Sequence, residues 1–168
     1  MRLSMIWQLK MMIMNGLMNS CILILLVVLS GIGRADTEVE CLASNIYHEA
    51  RNQPLVGQLA IAFVTYNRVK DDSEFRSYNT YCDVIRQGYR RGSKSCHFSW
   101  YCDGVPDTPY EVEKYQEILD FSKWFIDNVD YVVDPTKGAT HYHSVYVRPW
   151  WKDHYQQITQ ICDHTFYR

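Results

Sequence analysis

Three stretches of the sequence carry residues whose types and spacing could do chemistry. The first is NIYHEARNQP, residues 45–54, where Glu49 stands close to apolar Ile46 and Tyr47 and is followed by a helix-breaking Pro54. Apolar neighbours desolvate a carboxyl group, favour its neutral form and raise its pKa, which is what a general acid working near neutral pH requires. The same glutamate would also suit an ordinary helix flank, paired with Arg51 or Arg68.

The second stretch is His141-Tyr142-His143. Residues two apart on a strand share a face, so both imidazoles could reach one metal ion or one substrate, with Cys96, His97 or Glu49 as a third ligand. The chain has no HExxH and no CxxC, so the metal reading rests on two histidines alone; the other reading has one of them hydrogen-bonding in a cleft wall and the other solvated. The third stretch is CHFSWYCDG, residues 96–104, where Phe98, Trp100 and Tyr101 sit between two cysteines. A disulfide-clamped aromatic loop makes a rigid stacking platform, since little ordering entropy is lost on binding; equally, its rings could simply cover the core. Asp83, Asp103 and Asp107 are candidate second carboxylates. The sequence holds no Gly-x-Ser-x-Gly elbow, phosphate-binding loop or dinucleotide fingerprint.

The elements that must position these residues follow from hydrophobic periodicity. Val39, Leu42, Ala43, Ile46, Tyr47 and Ala50 recur at helical spacing, which predicts a helix over 37–51 with Glu49 beside its apolar stripe. Val56, Leu59, Ala60, Phe63, Tyr66 and Asn67 continue the pattern as one face of a second helix, made an antiparallel neighbour by the short turn at Pro54. YCDVIRQGY (81–89) reads as a short third helix, and 90–107 as a cysteine-bearing loop. Thr108-Pro109-Tyr110-Glu111 has the form of a capping box opening a fourth helix that runs to Val129. Beyond it, YVV, the turn DPTKG and ATHYHSVYV predict a small hairpin, while the tail from Trp151 is ambiguous. The expected fold is mainly α with a small β hairpin, an α+β domain.

Residues 1–35 contain Arg2, Lys10 and Arg34, no acid, an apolar run from Cys21 to Leu29, and a small-x-small ending at Ala35, the pattern of an export signal. The run is shorter than the roughly 20 residues of a spanning helix, so cleavage after Ala35 is expected, with an uncleaved anchor over Met11 to Ile32 as the alternative. An uncleaved leader would give a transient membrane attachment and would bring Cys21 within reach of an odd thiol. Residues 36–168 then make one domain, in which 14 Lys and Arg stand against 19 Asp and Glu, a net charge of about −5. That balance disfavours nucleic acid as a partner. All 13 tyrosines fall in this part, a surplus of flat amphipathic rings that suits sugar stacking as well as a small core. Of its five cysteines, four are expected in two disulfides, leaving one thiol.

CLASNIYHEARNQPLVGQLAIAFVTYNRV (41–69) resembles the opening of the SleB-like, spore cortex-lytic type of cell-wall hydrolase: a helix ending in Tyr-x-Glu-Ala-Arg, a Gly-Gln, an Ala-x-Ala helix and Asn-Arg-Val. The resemblance continues through YCDVIRQG, CHFSWYCDG and GATHYHSVYVRPWW to HTFYR, nearly the whole of 36–168 in order. It implies a lysozyme-like catalytic domain that cleaves peptidoglycan glycan strands between N-acetylmuramic acid and N-acetylglucosamine, usually as a lytic transglycosylase, without a cofactor and as a monomer. It carries the catalytic glutamate onto Glu49, and places Phe98-Ser99 and Thr140-His141-Tyr142 near the cleft. Tyr47, Asn67, His97 and Trp100 complete the candidate substrate contacts, with His97 departing from the family's usual glutamine, and Asn52-Gln53 from its usual Gly-Glu. Two other functions stay open: a zinc amidase or peptidase using His141 and His143, and a glycan-binding domain without activity.

Overall fold

The computed structural model describes residues 37–88 and 96–168. Asp36–Arg168 forms one compact unit; the expected leader and the pairing of Cys21 lie outside the described residues. Helix α1 spans Glu38–Ala50 and opens with a capping box, in which the Thr37 side chain accepts from the Glu40 N–H and the Glu40 carboxylate accepts from the Thr37 N–H. Its Leu42, Ala43, Ile46 and Tyr47 are wholly buried, as the apolar period predicts.

Helix α2, Leu55–Lys70, departs from the expected one-sided pattern. Val56 is 47% exposed, while Ile61, Ala62, Val64 and Thr65 are buried together with Ala60 and Phe63. The reason is that α2 is the central helix, packed by α1, by α3 (Tyr81–Ile85), by the sheet, and by α4 (Val112–Asn128) through the edge-on ring pair Phe63 and Phe125 at 5.1 Å. Beyond its exposed first turn, a helix packed by several neighbours reads as apolar on more than one face. Its start is pinned to the far end of the chain. A Cβ on Gly57 would lie 2.8 Å from Gln53 Cβ and 3.4 Å from Cys162 Sγ, and Gln53 Nε2 donates to Asp163 at 3.0 Å.

The capping box expected at Thr108 does not form. Helix α4 begins at Val112, and the Tyr110 and Glu111 N–H groups donate to the buried Tyr47 hydroxyl, while the Glu111 carboxylate is taken by Arg51. Tertiary partners outcompete the local cap.

The β element also differs from the expected hairpin. Residues 131–133 form no strand; β1 (His141–Ser144) pairs antiparallel with β3 (His164–Tyr167), which pairs with β2 (Gln157–Ile161) in the order β1-β3-β2. The hairpin is thus β2-β3, in the tail whose pattern was ambiguous. The DPTKG turn does form, its N–H groups at Thr136 and Gly138 donating to Asp134 with Gly138 at φ +83°. Disulfides join Cys41 to Cys82, tying α1 to α3, and Cys96 to Cys102, closing the aromatic loop; Cys162 keeps its thiol.

Candidate functional site

Glu49 stands in the last turn of α1, three residues past buried Ile46, and its carboxyl faces a cleft of about 270 Å³ walled by Arg68, His97, Ser99, Tyr142 and His143. The side chain is half-buried. Desolvation by the surrounding protein is the largest influence on it and raises its pKa; the Tyr142 hydroxyl and the Arg68 charge pull the other way without overcoming it. The Tyr142 hydroxyl is buried and has no partner at full hydrogen-bond geometry, yet of the groups that lower the Glu49 pKa it acts more strongly than Arg68. Burial and the adjacent Glu49 keep that phenol neutral, its own pKa raised well above the usual value.

Arg68 organises the back of the cleft. Only 4% exposed, its guanidinium lies between the rings of Phe75 and Phe98, 5.0 and 4.8 Å from their centres, and its Nε donates to the Thr140 carbonyl at 2.7 Å. Its buried Nη1 has no partner. Charge on Arg68 is felt by Glu49 and by a second carboxylate, Glu74, in the loop after α2. Glu74 lines an adjoining cleft of about 330 Å³ that shares Arg68, His97, Tyr142 and Trp151 with the first. The Tyr155 hydroxyl lies 3.3 Å from both of its oxygens, and His141 Nε2 lies 3.5 Å away. Burial lowers the His141 pKa to about 4, with Arg68 assisting, so near neutrality that contact is between a carboxylate and a neutral N–H rather than an ion pair. Glu74 carried no signal in the sequence; nothing in the acidic run Asp71-Asp72-Ser73-Glu74 sets one carboxylate apart from the next.

Of the residues singled out from sequence, the two clefts bring together Glu49, His97, Ser99, His141, Tyr142 and His143. Phe98 is buried beneath Arg68, and Thr140 is buried, serving that arginine through its carbonyl. Tyr47 is wholly buried, its hydroxyl engaged by the start of α4. Asn67 Nδ2 donates to Asp134, Thr136 and the Ala139 carbonyl, holding the turn that leads into β1. Trp100 stacks on His48 at 4.4 Å, donates to Asn45, and lines a different cavity with Asp107. Asp83 is exposed on α3, and Asp103 lies in the exposed loop before Asp107, so none of the three aspartates joins Glu49. The structure leaves Tyr47, Asn67 and Trp100 outside the cleft because each is consumed by packing.

His141 and His143 do share a face, both against the Trp151 ring at 5.7 Å. Their nitrogens are committed, however. His143 Nδ1 meets the Ser144 carbonyl at 2.8 Å and must donate, which leaves Nε2 to accept from the Tyr167 hydroxyl, also at 2.8 Å. His141 Nδ1 is 3.0 Å from the Thr140 hydroxyl. A neutral His143 with both nitrogens used has no lone pair left for a metal.

A small helical bundle with a three-stranded sheet and a desolvated glutamate at a cleft makes an α+β domain with a candidate acid. The chain belongs to the Cell Wall Hydrolase family, whose profile matches residues 52–167, beginning just after Glu49 and taking in Arg68, Glu74, His97 and Tyr142. It is a cell wall hydrolase, acting on peptidoglycan. Its fold is similar to that of the catalytic domain of the Bacillus cereus SleB protein, with a TM-score of 0.55, 24% sequence identity, and coverage of 82% of this chain and 94% of that one. A search of curated protein sequences found no match.

Proposed function

We propose that the protein is exported and cleaves the β-1,4 bond between N-acetylmuramic acid and N-acetylglucosamine as a lytic transglycosylase, with Glu49 as its single acid and base. The observation that carries this is the half-buried Glu49 carboxyl, its pKa raised by desolvation, facing a cleft it shares with no other acidic side chain among the described residues. Protonated Glu49 gives its proton to the glycosidic oxygen as the bond from that oxygen to the anomeric carbon breaks. The muramic 6-hydroxyl then attacks the anomeric carbon and releases its proton to the Glu49 carboxylate, closing a 1,6-anhydro ring and restoring the acid. Arg68 stabilises the carboxylate while it is charged, which keeps the proton transferable rather than locked on.

A hydrolytic outcome is the second reading, favoured by Glu74 in the adjoining cleft, since hydrolysis uses a second carboxylate to direct water. Digestion of purified sacculi followed by mass analysis of the fragments decides between them: anhydro ends are one water lighter than hydrolysed ends. Glu49→Gln keeps the shape and removes the proton, and lysis is expected to fall about 100-fold or more. Undiminished lysis by that variant would overturn the assignment of Glu49 as the acid, and absence of lysis by wild type and variant alike would leave a glycan-binding role. Activity is also expected to persist in EDTA; its loss there would instead support metal-dependent cleavage of the stem peptides.

A further inference from the structure

Tyr142 stands beside Glu49 with its two ends in different surroundings. Its ring lines the Glu49 cleft, while its hydroxyl is buried and has no partner at full hydrogen-bond geometry. A buried hydroxyl without a partner is destabilising, and such a group in a folded protein calls for an explanation. The sheet fixes this one where it is. Tyr142 is held in β1 opposite Phe166 of β3, its ring 5.8 Å from the Phe166 ring and edge-on to His164 at 5.3 Å. Arg68 anchors the residue before β1, its Nε donating to the Thr140 carbonyl at 2.7 Å. The phenol is therefore oriented before any ligand arrives, and a ligand entering the cleft meets the ring rather than the buried hydroxyl.

Among the described residues, Glu49 is the one acidic side chain lining this cleft. The other titratable groups there are Arg68 from α2, His97 from the aromatic loop, His143 from β1 and His164 from β3. Burial holds His97 and His164 below the ordinary histidine pKa, so both are neutral near pH 7. His143 is committed to the Ser144 carbonyl and the Tyr167 hydroxyl. A phenol has one proton to donate, and a carboxylate is a far stronger acceptor than a neutral carboxyl group, so the contact between the two side chains tightens when Glu49 ionises. The phenol keeps its proton throughout, since burial and the adjacent Glu49 raise its own pKa well above the usual value.

We propose that Tyr142 is a positioning residue for Glu49: its buried hydroxyl donates to the carboxylate formed once Glu49 has given up its proton, and holds that carboxylate in place to take the next one. It acts through Glu49 and not on the sugar. The inference rests on the reading of Glu49 as acid and base, and adds the group that steadies the charged half of its cycle alongside Arg68. It applies whether the attacking group is the muramic 6-hydroxyl or water, because Glu49 passes through its carboxylate in both.

The test is a double-mutant cycle of Tyr142→Phe and Glu49→Gln, read by melting temperature near pH 4 and near pH 8. Tyr142→Phe keeps the ring and removes only the hydroxyl. In the wild-type background it is expected to leave the melting temperature unchanged near pH 4, where Glu49 is neutral, and to lower it by a few degrees near pH 8, where the carboxylate loses its donor. In the Glu49→Gln background the effect should be equal at both pH values. Sacculus lysis gives the second readout. The rate for Tyr142→Phe at its optimum should fall about tenfold, as for loss of a hydrogen bond to a charged group. The alkaline limb of its pH profile should move to higher pH, because a group that lowers the Glu49 pKa has been removed. An alkaline limb that stays in place or moves to lower pH, or an equal loss of stability at both pH values in both backgrounds, would overturn the assignment; the last result would mark a packing role alone. Undiminished lysis by Glu49→Gln would sink the acid reading instead, and the melting cycle, which needs no turnover, tells the two failures apart.

Discussion

Arg51 Nε lies 2.8 Å from a carboxylate oxygen of Glu111 at the entry to α4, and not against Glu49 two positions before it. Its Nη2 donates to the Tyr110 hydroxyl at 2.6 Å and its guanidinium covers the Tyr47 ring at 5.0 Å. The arginine that could have neutralised Glu49 as a surface pair is drawn off to clamp α1 to α4. Arg51→Ala is therefore expected to lower stability by about 1 kcal/mol, modest because Glu111 is substantially exposed, while leaving the pH dependence of activity unmoved. Urea titration and a pH-rate profile check the two halves; a shift of the profile would mean that Arg51 does act on Glu49.

Retaining a proton on Glu49 has a cost that grows with pH. Its folded pKa is raised above the unfolded value, so whatever stability it contributes is present at acid pH and is lost as pH rises through the folded pKa. Glu49→Gln never ionises. The variant is expected to match the wild type near pH 4 and to unfold at a higher temperature than the wild type near pH 8, a difference that calorimetric melts at the two pH values would measure. Wild-type activity should fall across that same rise, since the donor is then lost.

His141 works in the opposite sense. Its folded pKa is about 4, below the ordinary histidine value of about 6.5. Between those two pH values the unfolded chain takes up a proton that the folded chain refuses, so stability is lost as pH falls, by on the order of 2–3 kcal/mol. His141→Gln loses the ring stacked on Tyr155 at 4.0 Å and will be less stable at pH 7, but its stability should change less between pH 7 and pH 4.5. Denaturant midpoints at both pH values give the comparison.

The Cys41–Cys82 disulfide closes 41 residues of chain and holds α3 against the helix that carries Glu49. Replacing both cysteines with alanine should cost about 2–4 kcal/mol and lower the reducing-agent sensitivity of the melting temperature. A melt of the double variant with and without dithiothreitol reads this directly.

Much of this protein is legible in local pattern. The stripe of Leu42, Ala43 and Ile46 gives α1, Thr37 and Glu40 cap it, and its register places Glu49 at the edge of the buried face. These depend only on neighbours within a turn, so periodicity and side-chain type suffice to read them. The resemblance of 41–69 to a cell-wall hydrolase carries the family for the same reason, since its residues lie in order along the chain.

Partners drawn from distant parts of the chain are decided only by tertiary packing. Thr108 and Glu111 have the form of a cap, but Tyr47 and Arg51, some sixty residues earlier, bind the groups the cap would need. Strand β3 lies between β1 and β2, so the expected hairpin at 131–147 gives way to a long-range pairing of β1 with β3. Arg68 reads from sequence as a candidate surface partner of Glu49, and Glu74 as one more acid in a loop; the fold buries the first between Phe75 and Phe98 and sets the second at the cleft rim. The sequence alone determined the helix and the place of Glu49 on it. Packing decided its electrostatic surroundings, because desolvation and through-space charge are set by atoms that meet only when the chain is folded.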